Sequence, residues 1–333
     1  MHKNILTIAI PTFNRAQKLK RLLHILYDEI VSHQLHENIS IIVSDNASTD
    51  NTSFVMTEFV KDNLNINYFT QSENLGFDGN LRFLYSKSSS EFVWFLADDD
   101  IPLPGSLSTI VNALEMNQMD VLLFGFLQPP DRKDQIFNFP ESIHIVNNPS
   151  KAIELVLRYG KVSIYVIRKI DFNDVETKVL DEFFGDQFYF ITLALSVLEN
   201  STYLRLGVIS EPLAKCDEEW MIMGGLPMPG MLNEMHTIQH PFVKNHCPEL
   251  YILFRDEMYY TVIKFAYMIK VGLLTIPDPF ENEKFVQKLE WRIFLLMKRP
   301  RALFEIIVLK LRIPASILSK SRYVYKTITY SNK

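Results

Sequence analysis

Apolar and polar positions along the first 125 residues follow two alternating periods. Short runs rich in β-branched and aromatic residues predict strands at Ile5–Ile10, Ser40–Ser44, Asn67–Thr70, Phe92–Leu96 and Val121–Phe126. Between them, Ala16–Val31, Asn51–Lys61, Asp78–Ser86 and Gly105–Glu115 carry apolar residues three and four apart, as Leu19, Leu22, Leu23, Leu26 and Ile30 do in the first, and predict helices. Strand alternating with helix predicts an α/β fold, a mostly parallel, Rossmann-like sheet flanked by helices. Ligands of such sheets bind at the carboxyl ends of the strands, so functional residues are expected directly after each strand.

Polar segments stand at four of those ends. Strand one runs into Pro11-Thr12-Phe13-Asn14-Arg15 and strand two into Asp45-Asn46-Ala47-Ser48-Thr49-Asp50. Strand three runs into Glu73-Asn74-Leu75-Gly76-Phe77-Asp78, and strand four into Asp98-Asp99-Asp100. Beyond residue 128 the pattern loosens into a Pro-containing loop, a helix at Lys151–Tyr159, a β segment at Val162–Ile167 and a helix at Phe183–Leu198. A Met-, Gly- and Pro-rich loop, Met221–Gly230, precedes a C-terminal third that reads helical.

Composition narrows the classes. The 47% hydrophobic and 22% charged content excludes a disordered chain. Two cysteines, Cys216 and Cys247, are too few for a disulfide framework and lie in no zinc-ribbon spacing, which points to a reducing compartment. The run Ile5–Ile10 is too short for a signal-peptide core, so the chain is expected to stay unexported. No stretch reaches the ~20 apolar residues that cross a bilayer. Net charge is −5, but residues 291–333 hold ten Lys and Arg against Glu305 alone, a +9 tail on a −14 remainder.

Three consecutive acids at a strand end raise one another's pKa unless a cation compensates them. Hard carboxylate oxygens suit Mg²⁺ or Mn²⁺, which keep waters and take phosphate oxygens as further ligands. Read alone, a solvated acidic turn ahead of Pro102 and Pro104 explains these residues equally well.

In order and spacing, TIAIPTFNR, IIVSDNASTDNT and ENLGFDGN through LADDDIPLP resemble the family 2 glycosyltransferases over roughly residues 4–125. The resemblance implies the GT-A fold and a hexosyltransferase-type enzyme. It also implies a division into a glycosyltransferase domain at 1–225, with nucleotide-sugar half 1–128 and acceptor half 129–225, and a helical C-terminal region at 226–333. Pro11, Thr12, Asn14 and Arg15 then match the loop that wraps the nucleotide, and Asp45 the acid at the base edge, with Asn46 and Ser48 in the same pocket. Asn74 and Gly76 match the Asn-x-Gly turn, whose glycine lets backbone approach the ligand. Asp98 and Asp99 match acids at the ribose or sugar, and Asp100, supported by Asp98, the metal ligand on the diphosphate. Many members carry an acid where this chain has Ala97, so either Asp98 makes that contact or the nucleotide is held differently.

For Asn14, Ser48 and Asn74, capping or turn roles compete with ligand binding. Asp50, ahead of Phe54 and Val55, is read as a helix cap. The resemblance places a carboxylate base at Asp186, opening the last predicted helix, where a helix N-terminal acid is the competing reading; Asp181 and Glu182 are alternatives. His236, His240, His246 and Cys247 are a poor zinc set, lacking a second well-spaced pair, and are read as ordinary packing or surface residues.

The basic tail interleaves Trp291, Phe294, Leu295, Leu303, Phe304 and Ile306 with its cations, which fits helices in the headgroup region of an anionic membrane as well as a packed cap with a basic face. Nucleic acid is not expected, because the bases are woven through apolar residues and the remainder is acidic. The segments GFDGN and ADDD are similar to abequosyltransferase-like enzymes of O-antigen assembly. That likeness implies a nucleotide-diphosphate sugar donor, a polyprenyl-diphosphate-linked oligosaccharide acceptor and a cytoplasmic, peripheral place at the membrane. A sugar nucleotidyltransferase, the rival enzyme class, wants a Gly-rich basic phosphate loop after strand one, which Pro11–Arg15 is not. An inactive scaffold of a polysaccharide assembly complex is the non-enzymatic alternative.

Overall fold

The computed structural model describes residues 4–60, 65–127, 137–157, 160–182, 188–216 and 240–247. The chain divides into two units, residues 1–224 with 240–247 and residues 225–239 with 248–333, and the described residues belong to the first. Its strands are β1 (Leu6–Thr12), β2 (Ile39–Asp45), β3 (Ile66–Thr70), β4 (Phe92–Phe95), β5 (Asp100–Pro102), β6 (Val121–Leu127), β7 (His144–Val146), β8 (Tyr165–Arg168) and β9 (Leu206–Cys216). Its helices are α1 (Ala16–Ser32), α2 (Thr52–Val60), α3 (Gly76–Lys87), α4 (Ser106–Met116), α5 (Pro149–Leu157), α6 (Asp174–Glu182), α7 (Tyr189–Glu199) and α8 (Pro241–His246).

All the strands join one sheet in the order β3-β2-β1-β4-β8-β6-β9-β5, with β7 also on β9. The expected parallel half is β3, β2, β1 and β4. Strand β8 runs against both of its neighbours, β4 and β6, and the remaining strands mix directions. Every residue of β1, β2 and β4 is buried, as befits central parallel strands covered on both faces, which is why they read as unbroken apolar runs. Edge strand β3 keeps none of its residues fully buried. Helix α1 buries the apolar stripe Leu19, Leu22, Leu23, Leu26 and Ile30 read from its spacing, whereas Phe54 on α2 faces solvent.

Strands β9, β5 and β7 and helix α6 escape the sequence pattern. Glu211 and Pro212 interrupt β9, and a proline inside a run argues against a strand. A bulge absorbs them: the β6 to β9 register shifts on either side of Gly125. A Cβ on Gly125 would come within 2.5 Å of the Ser210 carbonyl oxygen, so the bulge requires glycine there. Strands β5 and β7, three residues each, pair with the other edge of β9 and are too short for a period. The expected strand at Val162–Ile167 is a 3₁₀ turn over Val162–Ile164 followed by β8. The turn's carbonyl at Ser163 accepts from the indole N–H of fully buried Trp94 at 2.8 Å, fixing it against β4.

Candidate active site

Strand register sets the site. Thr12 at the end of β1 lies beside Asp45 at the end of β2, and β4 flanks β1 on its other side, with Leu96–Asp99 continuing from it. A cavity of about 470 Å³ opens over these ends, lined by backbone and side chains of Pro11, Thr12, Phe13, Arg15, Asn46, Asn74, Gly76, Phe77, Asn80, Ala97, Asp98 and Asp99. Most of the residues expected after strands one, three and four therefore meet in one hollow, together with Asn46 from strand two.

The charged side of the hollow is a network. The Arg15 guanidinium donates from Nη1 to Asp98 Oδ1 at 2.8 Å and to Asp99 Oδ2 at 2.9 Å. Thr12 donates its hydroxyl to Asp98 Oδ2 at 2.7 Å. Arg15 keeps 46% of its side-chain surface exposed while Asp98 keeps 3%, so the acid is the buried anchor and the cation its exposed face. Burial holds the Asp98 pKa above the usual carboxylate value, over the opposing pull of Arg15 and Thr12, and repulsion by Asp99 is a lesser contribution. For Arg15 burial opposes the charge, but the Asp98 and Asp99 carboxylates prevail and raise its pKa.

Asp100 does not line this hollow. It opens β5, is 1% exposed, and sits 2.9 Å through Oδ1 from Lys161 Nζ. Its Oδ2 accepts the hydroxyl hydrogen of Ser163, whose oxygen also receives the Ala97 N–H. Burial pushes the Asp100 pKa up to about 6 although Lys161 and Ser163 both favour its charge. Lys161 also lies 3.6 Å from Cys216 Sγ and 5.0 Å from the centre of the Phe126 ring. The cations that compensate the three acids in this structure are thus Arg15 and Lys161. Sequence reading missed Lys161 and Ser163, which arrive from a 3₁₀ turn some 60 residues later with no motif to announce them.

No group of three or more His, Cys, Asp and Glu side chains placed to hold a metal occurs among the described residues. Asp98, expected to support the metal, has both oxygens engaged by Thr12 and Arg15 and so holds the loop after β1. Asp99 and Asp100 fit a divalent cation of the kind that takes one or two protein carboxylates and completes its shell with phosphates and water, provided Lys161 gives up Asp100.

Asp45, Asn14 and Ser48 shape the loops rather than line the hollow, whereas Asn46, Asn74 and Gly76 do both. Asp45 is 1% exposed; its Oδ1 accepts from Ser48 N–H at 2.8 Å and its Oδ2 from the Tyr68 hydroxyl at 2.9 Å. Both bonds tie this carboxylate, expected at the base edge, to the loop after strand two and to β3. Burial, with Asp45 adding, pushes the Tyr68 pKa up to about 12, which keeps that hydroxyl a donor. Asn14, in the left-handed region at φ 53°, accepts from Thr49 N–H at 2.8 Å and donates its own N–H to Ser48 Oγ at 2.8 Å. Asn14 and Ser48 thus stitch the first two loops together. Asn46 donates to Asn74 Oδ1 at 2.8 Å and to Gly76 O at 3.2 Å and accepts from Leu75 N–H at 2.8 Å, so the Asn-x-Gly turn hangs on it. Gly76 answers to its φ of 74°; a Cβ there would meet nothing within 4 Å. Asp50 caps as expected, accepting from Thr52 N–H at 3.0 Å and also from Ala16 N–H at 3.0 Å at the start of α1.

Asp186 and the tail 291–333 lie outside the described residues, as does His236. Asp181 is tied to Arg82 at 2.6 Å on the surface, and Glu182 is exposed. His240 is fully buried: Nδ1 accepts from Phe242 N–H at 3.2 Å, so Nε2 carries the hydrogen given to Ser196 Oγ at 3.0 Å. That leaves His240 no lone pair for zinc, in keeping with a packing role. No helix among the described residues is long and apolar enough to cross a membrane.

Comparison with known proteins places this geometry. A Campylobacter jejuni GalNAc(5)-diNAcBac-PP-undecaprenol beta-1,3-glucosyltransferase is 37% identical over 32% of this chain and 33% of its own length. The Salmonella typhimurium abequosyltransferase RfbV is 25% identical over 64% of this chain and 66% of its own. The chain thus spans a third and just under two thirds of these relatives. Staphylococcus aureus TarS, in complex with UDP-GlcNAc, superposes with a TM-score of 0.60 at 16% identity, covering 92% of this chain and 89% of that one, which shows the GT-A fold. Residues 7–168, just under half of the chain, match the profile described as Glycosyl transferase family 2.

Proposed function

We propose that this protein transfers a sugar from a nucleotide-diphosphate sugar to a hydroxyl of a polyprenyl-diphosphate-linked oligosaccharide during assembly of a surface polysaccharide of the O-antigen kind. The observation that carries this reading is the mixed lining of the cavity: the Arg15 guanidinium, anchored by Asp98 and Asp99, and the rings of Phe13 and Phe77, 42% and 38% exposed. A diphosphate matches the first and a planar base the second. The relatives named for an undecaprenol-linked substrate and for abequosyl transfer support a lipid-linked acceptor and a dideoxyhexose donor.

Ala97 removes the acid that many relatives place first, and Asp98 is occupied, so the nucleotide is held through Arg15 rather than by a carboxylate at that point. Asp100 and Asp99 would hold Mg²⁺ or Mn²⁺, which would supply neutralisation of the leaving nucleoside diphosphate. Arg15 adds a fixed positive charge whose position two carboxylates and Thr12 already determine, so little reorganisation accompanies transfer. Asp186, just ahead of α7, takes the proton of the acceptor hydroxyl. The basic tail 291–333 holds the protein at an anionic membrane surface, where such acceptors reside; truncation after Asn282 is expected to abolish cosedimentation with anionic liposomes.

Calorimetry with a panel of nucleoside diphosphates and their sugars, with and without Mn²⁺, tests the reading. One nucleotide should bind in a metal-dependent manner, and Asp100→Ala should lose that dependence. Metal-dependent binding that survives in Asp100→Ala removes Asp100 from the site.

A further inference from the structure

We infer that Asn80 reads the base of the donor nucleotide, accepting a hydrogen bond from an N–H on its edge through Oδ1. The inference rests on the nucleotide-binding reading given above. Asn80 lies in the first turns of α3, is 2% exposed, and lines the cavity. Its Nδ2 donates to the Ser44 carbonyl oxygen at 3.0 Å. A carbonyl only accepts, so the amide orientation is fixed and Oδ1 is the atom left over. That oxygen is buried and has no partner among the described residues.

Its neighbours are otherwise engaged. Asn46 uses both ends of its amide on the Asn-x-Gly turn, Asn74 Oδ1 accepts from Asn46 and Gly76, and Thr12 and Asp98 satisfy each other. A buried acceptor without a partner costs about 1–3 kcal/mol, and such groups are few in folded proteins, so this one calls for a specific account. A hydrogen donor that enters the cavity Asn80 lines would complete it once the groups covering Oδ1 give way.

Position selects which donor. Ser44 belongs to β2, on the far side of β1 from β4 and the Asp98–Asp99 segment. Two strand spacings, roughly 10 Å, separate those ends. With the diphosphate at Arg15, the group reaching Asn80 is the one beyond the ribose, a nucleobase, and the exposed rings of Phe13 and Phe77 offer it faces on which to stack. A site that requires such a hydrogen bond rejects a base lacking the N–H more strongly than a purely apolar slot does.

The test is a binding cycle read by calorimetry. The preferred nucleoside diphosphate is chosen from UDP, dTDP, CDP, GDP and ADP, and compared with its analogue methylated on the base-edge nitrogen. The native protein should bind the methylated analogue roughly tenfold more weakly. Asn80→Ala should bind the parent roughly tenfold more weakly, bind both forms alike, and leave inorganic pyrophosphate unaffected. The native protein with the analogue carries the test even where Asn80→Ala folds poorly. Equal affinity of the native protein for the two forms overturns the inference, as does undiminished discrimination by Asn80→Ala. A loss in Asn80→Ala seen only when the sugar is attached assigns the oxygen to a sugar hydroxyl and also overturns it. Failure of the native protein to bind any nucleoside diphosphate overturns the nucleotide-binding reading itself, a distinguishable result.

Discussion

Lys161→Met isolates the compensation of Asp100. The substitution keeps much of the aliphatic stem over Phe126 and removes the ammonium 2.9 Å from Asp100 Oδ1. Asp100 is 1% exposed and would retain only the Ser163 hydroxyl. Removing one partner of a buried ion pair costs about 3–5 kcal/mol, because the other charge stays buried and uncompensated. The 20% exposure of Lys161 admits some water, and Asp100 can escape by taking up a proton, so the loss expected at pH 7 is about 2–3 kcal/mol.

Urea unfolding in the presence of chelator measures it, with Asp100→Asn and the double variant completing the cycle. Coupling of at least about 1.5 kcal/mol between the two positions is expected. The pH dependence has a defined sign. In the folded protein the Asp100 pKa is already raised from 3.8 to about 6, and loss of Lys161 raises it further. The folded state then binds more protons than the unfolded state above pH 3.8, so stability falls as pH rises through that window. The Lys161→Met penalty should accordingly be larger at pH 8 than at pH 5. A penalty under about 1 kcal/mol, additive with Asp100→Asn and flat with pH, would refute the view that the ammonium compensates this carboxylate.

Two further outcomes follow from the structure and the proposed mechanism. Burial, with Lys244 adding, lowers the His240 pKa from 6.5 to about 3, so the stability of the neutral form is fully present above pH 6.5 and lost as pH falls toward 3. The stability advantage of the native protein over His240→Asn should shrink by up to about 1.4 kcal/mol per pH unit below 6.5 in urea titrations, and a constant difference would rule that out. Asp186→Asn should leave nucleotide-sugar affinity unchanged while transfer to a lipid-linked acceptor falls by about 10²-fold or more; retained transfer would remove Asp186 as the base.

The parallel half of the sheet was legible because its strands are buried on both faces and separated by clean amphipathic helices; the period alone places β1, α1 and β2. The mixed half was not. Strand β9 holds three partner strands yet contains Glu211 and Pro212, and what admits them is the absent side chain of Gly125 on another strand. A local window cannot register a compensation made on a strand so distant in sequence. The same contrast divides the site. Pro11, Arg15, Asn74 and Asp98 follow strand ends and were found, whereas Lys161 and Ser163 enter by a crossover and Asn80 sits inside a helix pattern that explains it without a ligand.

The three adjacent aspartates show why a motif underdetermines its chemistry. Repulsion along the chain was the sequence argument for a metal, yet burial is the largest cause of the raised pKa at both Asp98 and Asp100. Each acid has a separate setting: Asp98 is buried between Thr12 and Arg15, Asp99 is 11% exposed beside the same arginine, and Asp100 faces away toward Lys161 and Ser163. Charge balance is therefore largely met within the protein, by residues from two distant loops. A divalent cation entering with a diphosphate would bind by exchanging for Lys161 rather than by filling a bare acidic cluster. Lys161→Met should then let Mn²⁺ restore stability that the native protein does not need, and Asp100→Asn should abolish that rescue.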